Sequence, residues 1–461
     1  MKKLFLGAAA LMCGAVMFAQ NNESNVDQSG TSHGAVVSQE GNNNLSDIKQ
    51  RDGDGNGEGH EEGGMTGYYA DVYQSGTDHE SYIDQKGKTG SAEVDQEGLR
   101  QFSDIFQRGN GGVIFVDQIG EDNESYIAQK GRENFAQVLQ SGFFQYSDVA
   151  QEGRENSVDV DQSGASNESF INQNGEGNGA AVTQTGNSDL SNVDQEGSGN
   201  MASATQSGTL NESFINQNGE GNEAAVTQTG NSDLSIVNQE GSGNMASATQ
   251  SGASNQSYIN QNGEGNWASA TQSGTFNESY ITQEGGLGNM ATVAQMGSSN
   301  ESRILQQNTT TSEADVFQNG NDNYSTVRMV GGTDNTVEVD QAGDDHYSRV
   351  SNAFGARNST SIDQNGLGGH ESNSEQFATY DSNITVVQTG DDLSHKSNVR
   401  QELGSFNEAM VTQDGSGHWS DVLQSGNPGG HTATVMQYGD GQISTVLQVG
   451  GNNTATVTQS N

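Results

Sequence analysis

From Gln74 to Gln283 every eleventh residue is glutamine, twenty in succession, and each has glycine two residues later, from Gly76 to Gly285. The same step places Val, Ile or Ala two residues before each glutamine, as at Val72, Ile171, Val182, Ala204 and Ile281. Four before it Ser or Ala dominates, and six before it stands Asn or a near relative, as at Asn123, Asn134, Asn156 and Asp189. The unit reads Asn-x-Ser/Ala-x-Val/Ile-x-Gln-x-Gly-x-x. Like chemistry at alternate positions, with β-branched residues among them, is the pattern of a strand with one face turned inward.

Eleven residues therefore make one strand and one turn, and two units make a flat coil of 22 residues. The four residues after each glutamine are expected to form the turn, with glycine there because a tight reversal needs a positive φ that a side chain resists. Self-similarity confirms a stacked repeat architecture. A 44-residue stretch beginning at Asn167 recurs from Asn211 with five changes. The fold class is all-β, a repetitive β-solenoid or cross-β stack of strand-turn-strand coils.

Stacking places each glutamine over the glutamine of the next coil at roughly 4.8 Å, and each asparagine over asparagine. Their amides can then bond along the stack, as side-chain ladders do in cross-β assemblies. In the duplicated stretch the ladder positions of the first two strands are Asn167, Ser169, Ile171, Gln173, Gly175, then Asn178, Ala180, Val182, Gln184, Gly186. The second copy supplies Asn211, Ser213, Ile215, Gln217, Gly219, then Asn222, Ala224, Val226, Gln228, Gly230, and the rows continue at Gln239, Gly241, Gln250 and Gly252. One coil buries only two Val or Ile and two Ser or Ala. At about 1.5–3 kcal/mol per large buried side chain, this cannot offset about 1–2 kcal/mol of backbone entropy per residue. A single coil is unfolded; only neighbours stabilise it, the one-dimensional cooperativity of solenoids.

Composition alone points elsewhere. With 30% hydrophobic residues, 63 glycines and a formal charge of −43, the chain reads as an acidic disordered segment. Strict spacing over 210 residues argues against permanent disorder. Residues 1–19, two lysines and an apolar run that ends abruptly at Gln20, read as a secretory signal peptide. Cys13 lies inside it, so the mature chain has no cysteine and no second long apolar segment. It is expected to be exported without membrane insertion or disulfides.

Repeats begin at once in residues 20–50, with Gln28, Gln39 and Gln50. Residues 51–73 are expected to be a Gly-rich acidic loop or a degenerate repeat. Asp52, Asp54, Asn56 and Glu58 set oxygen ligands at alternate positions, as in a calcium loop, but Gly63 stands where the closing bidentate Glu belongs. A solvated acidic loop is the preferred reading. Residues 74–285 hold perfect register, and residues 286–461 are degenerate repeats in which Met329 and Asn352 stand where glutamine is expected. Pro428, the only proline, falls in the longest late turn. About 38 strands, or about 19 coils, give a rod of roughly 90 Å.

These residues resemble the curlin repeat, Ser-x5-Gln-x-Gly-x-x-Asn-x5-Gln. Residues 211–228 match it from Gln217 and Gly219 through Asn222 to Gln228, with Asn211 in place of the opening Ser. The resemblance implies a secreted subunit that polymerises with itself into curli-like extracellular amyloid fibres, supporting adhesion, aggregation and biofilm matrix. It also implies other curlin-like subunits and an outer-membrane secretion apparatus as partners, and a place outside the cell.

No catalytic constellation, cofactor site or metal site is read from the residues. The eight histidines, among them His33, His79, His346 and His418, look scattered through turns and late units without metal-ligand spacing. An acidic rod repels nucleic acid. Phe170, Phe214, Tyr258 and Tyr280 fall three before a glutamine, on the outward face, where they are expected to stack on one another. The rival reading is a monomeric extracellular solenoid, an adhesin or surface-binding protein for ice or calcium. Against it, the inward positions repeat better than the outward ones: at the outward position one before the glutamine stand Tyr73, Asp84, Asp95 and Phe106 in turn.

Overall fold

The structure, a computed structural model, describes residues 21–52, 67–426 and 430–461. The expected signal peptide, most of the 51–73 segment including Asp54, Asn56 and Glu58, and Pro428 lie outside the described residues. Those described form a parallel β-solenoid of about 19 turns with about 22 residues per coil. They contain 36 strands. Two of these, Glu80–Leu99 and Phe102–Glu121, run unbroken around a corner. Each of those two therefore supplies a rung to both of the stacks described next.

Each coil contributes one strand to each of two stacks. In one stack Glu168–Glu176 lies between Tyr146–Arg154 and Leu190–Ser198, in parallel and in register, so Gln173 is flanked by Gln151 and Gln195. In the other, Ser157–Ala165 lies between Phe135–Phe143 and Gly179–Gln184. Residues alternate strictly between interior and surface: along Glu168–Glu176, Ser169, Ile171 and Gln173 are buried while Glu168, Asn172 and Asn174 face solvent. The interior is therefore a set of continuous rows. Val and Ile form the central row of each stack, and at one edge the small residue of one stack meets the amide of the other, as where Thr360 donates to Gln376 at 3.0 Å.

The two stacks differ in their small residues. One carries Ser169, Ser191, Ser213 and Ser235, the other Ala180, Ala202, Ala224 and Ala246. The serine hydroxyls are buried and have no hydrogen-bond partner. The rung spacing leaves these hydroxyls apart; further along the same row Ser420 does donate to Ser397, at 3.3 Å.

The turn is tighter than expected. Strands do not stop at the glutamine; most continue through the glycine, as Glu212–Glu220 does through Gly219. The sharp corner falls two residues beyond, where the residue four after most glutamines takes a left-handed conformation, at Glu155, Ser166, Gly177, Ser188, Leu210 and Gly221 alike. The glycine after glutamine takes the expected positive φ at most positions, 132° at Gly219, and meets a second constraint as well. A Cβ on Gly219 would sit 1.9 Å from the carbonyl oxygen of Gly241 in the next coil. Glycine is there because two backbones approach too closely for any side chain.

Later insertions enter only at corners. The spacing between stacked glutamines rises from 22 to 23 at Gln272 and Gln295 and reaches 25 at Gln376 and Gln401, with the rung bonds kept. Around the acidic segment Gln39 bonds Gln74 and Gln50 bonds Gln85, each 35 residues on. The strand Gly67–Thr77 resumes the stack before Gln74.

The two kinds of glycine make a discriminating pair. Gly221→Ala meets nothing within 4 Å and costs only the left-handed strain, about 1–2 kcal/mol. Gly219→Ala must push two coils apart and is expected to cost severalfold more; chemical denaturation of the two variants ranks them, and equal losses would contradict the close-approach account.

Candidate functional site

The chain's most repeated chemistry is the pair of interior glutamine rows. Gln173 donates through Nε2 to Oε1 of Gln195 at 2.8 Å, Gln195 to Gln217 at 2.8 Å, Gln217 to Gln239 at 2.9 Å, and Gln239 to Gln261 at 2.9 Å. In the second stack Gln184 donates to Gln206, Gln206 to Gln228, Gln228 to Gln250 and Gln250 to Gln272, at 2.9–3.0 Å. Each Nε2 also donates to a backbone carbonyl of the preceding strand, Gln173 to Ser157 at 3.0 Å and Gln228 to Glu212 at 2.9 Å. That second bond ties the stacks together and fixes which way every amide points. The Met329 and Asn352 positions interrupt one row without shifting it: Gln306 reaches the Met329 sulfur at 3.8 Å, and Asn352 lies in register between Met329 and Gln376.

The asparagines behave differently from the expected direct ladder. Asn167 uses Nδ2 to hold two carbonyls, Ser163 of its own corner at 3.0 Å and Gly186 of the next coil at 3.1 Å, while its Oδ1 accepts the backbone N–H of Asp189. Asn178 likewise bonds the Gly197 carbonyl and accepts from Asn200 N. Asn211 holds the Gly230 carbonyl at 3.1 Å. Asn222 adds a direct amide bond to Asn200 at 3.2 Å, so side-chain-to-side-chain bonding is a supplement to backbone capture. Gly186 and Gly230 already accept the backbone N–H of Ala165 and Thr209, so the asparagine amide takes the second lone pair and braces the corner from coil to coil.

Of the other sequence-selected positions, Ser169, Ile171, Ala180, Val182, Ser213, Ile215, Ala224 and Val226 form the buried rows between the amides. Gly175, Gly219, Gly241 and Gly252 occupy the close-approach positions with φ of 107–138°. Gly186 and Gly230 do not take a positive φ; both sit in the corners that carry Asp189 and Asp233.

Those two aspartates stand in the asparagine column, each 1% exposed. Oδ1 of each accepts from the next coil, Asn211 N at 2.9 Å and Asn255 N at 2.9 Å, but Oδ2 of each is buried with no partner. Burial raises both carboxyls above the usual range, with the bonds from Asn211 and Asn255 opposing it. A protonated carboxyl would mimic the asparagine amide, which offers a donor at this place.

Outward rows are less regular. Tyr82, Phe102, Tyr126, Tyr146 and Phe170 form a run of tilted ring contacts over five coils, with centroids 5.2–5.9 Å apart, and Tyr258 lies flat on Tyr280 at 4.9 Å. Beside them run polar rows, in which Asn172 donates to Asp194 at 3.1 Å and Asn262 to Glu240 at 2.7 Å. Asp95 and Asp117 stack in a row of carboxylates, and partial burial together with neighbouring charges raises both.

Sequence reasoning missed the histidines. His346, His370, His395 and His418 each stand six residues before a ladder position, at Asn352, Gln376, Gln401 and Gln424, and so occupy the asparagine column on four successive coils. Counting back from the late glutamines finds them. Insertions that stretch their spacing to 24, 25 and 23 residues hid the pattern. Among the described residues no group of three or more His, Cys, Asp or Glu could hold a metal ion.

The curlin associated repeat family matches the chain at residues 19–51, 69–98, 131–164, 153–186, 197–230, 219–252, 332–366 and 432–460, together more than half of its length. No match to a curated protein was found.

Two outcomes test the site. Replacing Gln217, Gln228 and Gln239 by Leu orphans the donors of Gln195 and Gln206 and the acceptors of Gln250 and Gln261, at about 1–3 kcal/mol for each buried group left unpaired. Denaturant melting should register that loss; an unchanged midpoint would mean the amides add nothing. Asp189→Asn with Asp233→Asn should stabilise the fold at pH 7. A carboxyl raised by folding contributes stability that is complete below its unfolded pKa and is lost as pH rises through the folded one. The double variant should therefore flatten the decline from pH 4 to 7 in a pH series of melting temperatures.

Proposed function

Because the chain belongs to the curlin associated repeat family, we propose that it is a curli-like extracellular fibre subunit, structural in role, whose copies add to one another coil on coil. One observation carries this reading. Each coil gives its successor the same surface that it receives from its predecessor: parallel strand edges, two glutamine amides and a corner asparagine, all in register. A surface that stacks on the next coil within one chain stacks by the same bonds on a coil of another. Bond direction also selects the pairing, since Nε2 always donates toward the C-terminal side. Copies join head to tail, a heterologous contact that does not close and so builds a filament.

Adhesion, cell aggregation and biofilm matrix are the roles proposed for that filament, with other curlin-like subunits and an outer-membrane secretion apparatus as its partners and the outside of the cell as its place. The acidic surface supports a filament that stays dispersed until its ends meet, because outward charge opposes sideways association of strand-rich faces. The rival reading, a monomeric solenoid that binds a surface, would draw on the aromatic and polar rows, yet these rows change character from coil to coil.

The test dilutes residues 20–461 from denaturant and follows fibre growth with time. Seedable sigmoidal growth with reflections near 4.8 and 10 Å is the expected result. The triple leucine variant at Gln217, Gln228 and Gln239 should grow more slowly. Rapid folding to a monomer that persists at high concentration would overturn the proposal and leave the surface-binding rod.

A further inference from the structure

The four histidines of the corner column make a stack. Ring centroids of His346 and His370 lie 5.0 Å apart, of His370 and His395 4.5 Å, and of His395 and His418 4.9 Å, with planes within 21° of parallel. All four are at most 1% exposed. Each ring does the work of an asparagine with its two nitrogens. Nδ1 accepts the backbone N–H of the next coil: His370 N to His346, His395 N to His370, His418 N to His395 and Gln442 N to His418, at 3.1–3.2 Å. Nε2 faces a carbonyl of its own corner, Ala342, Asn365, Thr389 and Asp414, at 2.9–3.3 Å.

Those partners admit one protonation state. A nitrogen that accepts an N–H has no proton, and a nitrogen that faces a carbonyl must have one. All four rings are thus neutral, with the proton on Nε2. Adding a proton to Nδ1 sets N–H against N–H, removes a coil-to-coil bond, and lines up like charges one rung apart. Asparagine at the same place has no such alternative state.

We propose that His346, His370, His395 and His418 form an acid-operated release for the C-terminal coils, holding them in register while neutral and forcing them apart when protonated. Burial lowers His346 and His395 below the ordinary imidazole range, and burial with the neighbouring rings pushes His370 down to about 4. Carboxylates stand at the same corners, Asp344, Asp345, Asp391, Asp392, Asp414 and Asp440; Asp344 and Asp345 favour a charged His346, and Asp414 a charged His395. For His346 and His395 burial outweighs that field. The inward ladder residues of the strands leading into these corners, Gln341, Gln364, Gln388 and Gln413, bring no charge. Of the residues that follow the four histidines, Glu371 and Lys396 pair with each other at 2.7 Å.

The sign follows from linkage. Unfolded, these histidines take up protons near pH 6.5; folded, His346, His370 and His395 do so only lower. Stability is whole above about pH 6.5 and falls as pH drops toward 4. Each histidine that protonates only on opening multiplies the open population by about tenfold per pH unit in that window.

Amide hydrogen exchange of the full chain at pH 7.5, 5.5 and 4.0, corrected to intrinsic rates, reads this coil by coil, whether or not copies assemble. Protection over residues 346–442 is expected to fall at least a hundredfold more than over residues 123–335. A variant carrying H346N, H370N, H395N and H418N restores the residue of the other corners and should lose less than tenfold; His79 and His431 stay in place and account for any remainder. Equal losses in both segments, or the same loss in the variant, would overturn the proposal. Should the variant fail to fold, ring nitrogen shifts of the unaltered chain decide. Neutral Nε2–H rings at pH 7.5 that become charged as protection is lost sustain the proposal, and rings that stay neutral at pH 4 with protection intact refute it.

Discussion

An interior amide can be satisfied only by its like in the neighbouring coil. Gln195 has its donor taken by Gln217 and its acceptor by Gln173, and nothing within its own coil could replace both. This makes the glutamine rows a demand as well as a source of stability. A buried amide without such partners costs about 1–3 kcal/mol, so an isolated coil is penalised by the same residues that hold a stack together. Apolar packing cannot carry that burden, because the central rows hold Val, Ile and Ala, with Ser374 among them, and most serine hydroxyls beside them are unpaired. The small difference between a stable stack and an unstable coil is therefore set by how many neighbours there are.

Length regulation follows a separate logic at the corners. The strand rows tolerate no insertion, since one extra residue would turn every inward side chain outward. The corners absorb one to three extra residues between stacked glutamines 272 to 424, and still return the chain to register. What they cannot absorb is a missing donor. Asn167 and His370 show how the column side chain bonds corner backbone, whereas both ring nitrogens of His431 are buried without a partner, and at Asp189 and Asp233 one oxygen is left over.

Much of this was legible in the residues. The eleven-residue period predicted the inward face, the 22-residue coil and the stacking of glutamine on glutamine, because a period of two in a strand leaves no freedom over which side chains face in. The corners were harder to read. Glycine after glutamine suggested the turn itself, but the bend lies at residues such as Glu155, Phe144 and Leu210, which do not look like turn formers. Gly219 answers to the next coil's backbone, a contact 22 residues distant. The bonding of Asn167 to backbone carbonyls was likewise invisible, because sequence shows which side chains stack but not which main-chain groups the bend leaves open. The histidine column escaped because its register is counted from glutamines whose own spacing drifts.

The fixed orientation of the amides has an electrical consequence. A side-chain amide carries a dipole similar to that of a peptide unit, about 3.5 D. Along both rows these dipoles run the same way, from Gln28 toward Gln448 and from Gln39 toward Gln459, interrupted only at Met329 and Asn352. They add instead of cancelling, so the solenoid is a permanent electret with a positive and a negative pole. Two such rods lying side by side, both strongly negative, repel less when antiparallel than when parallel, and a suspension of them aligns in an applied field.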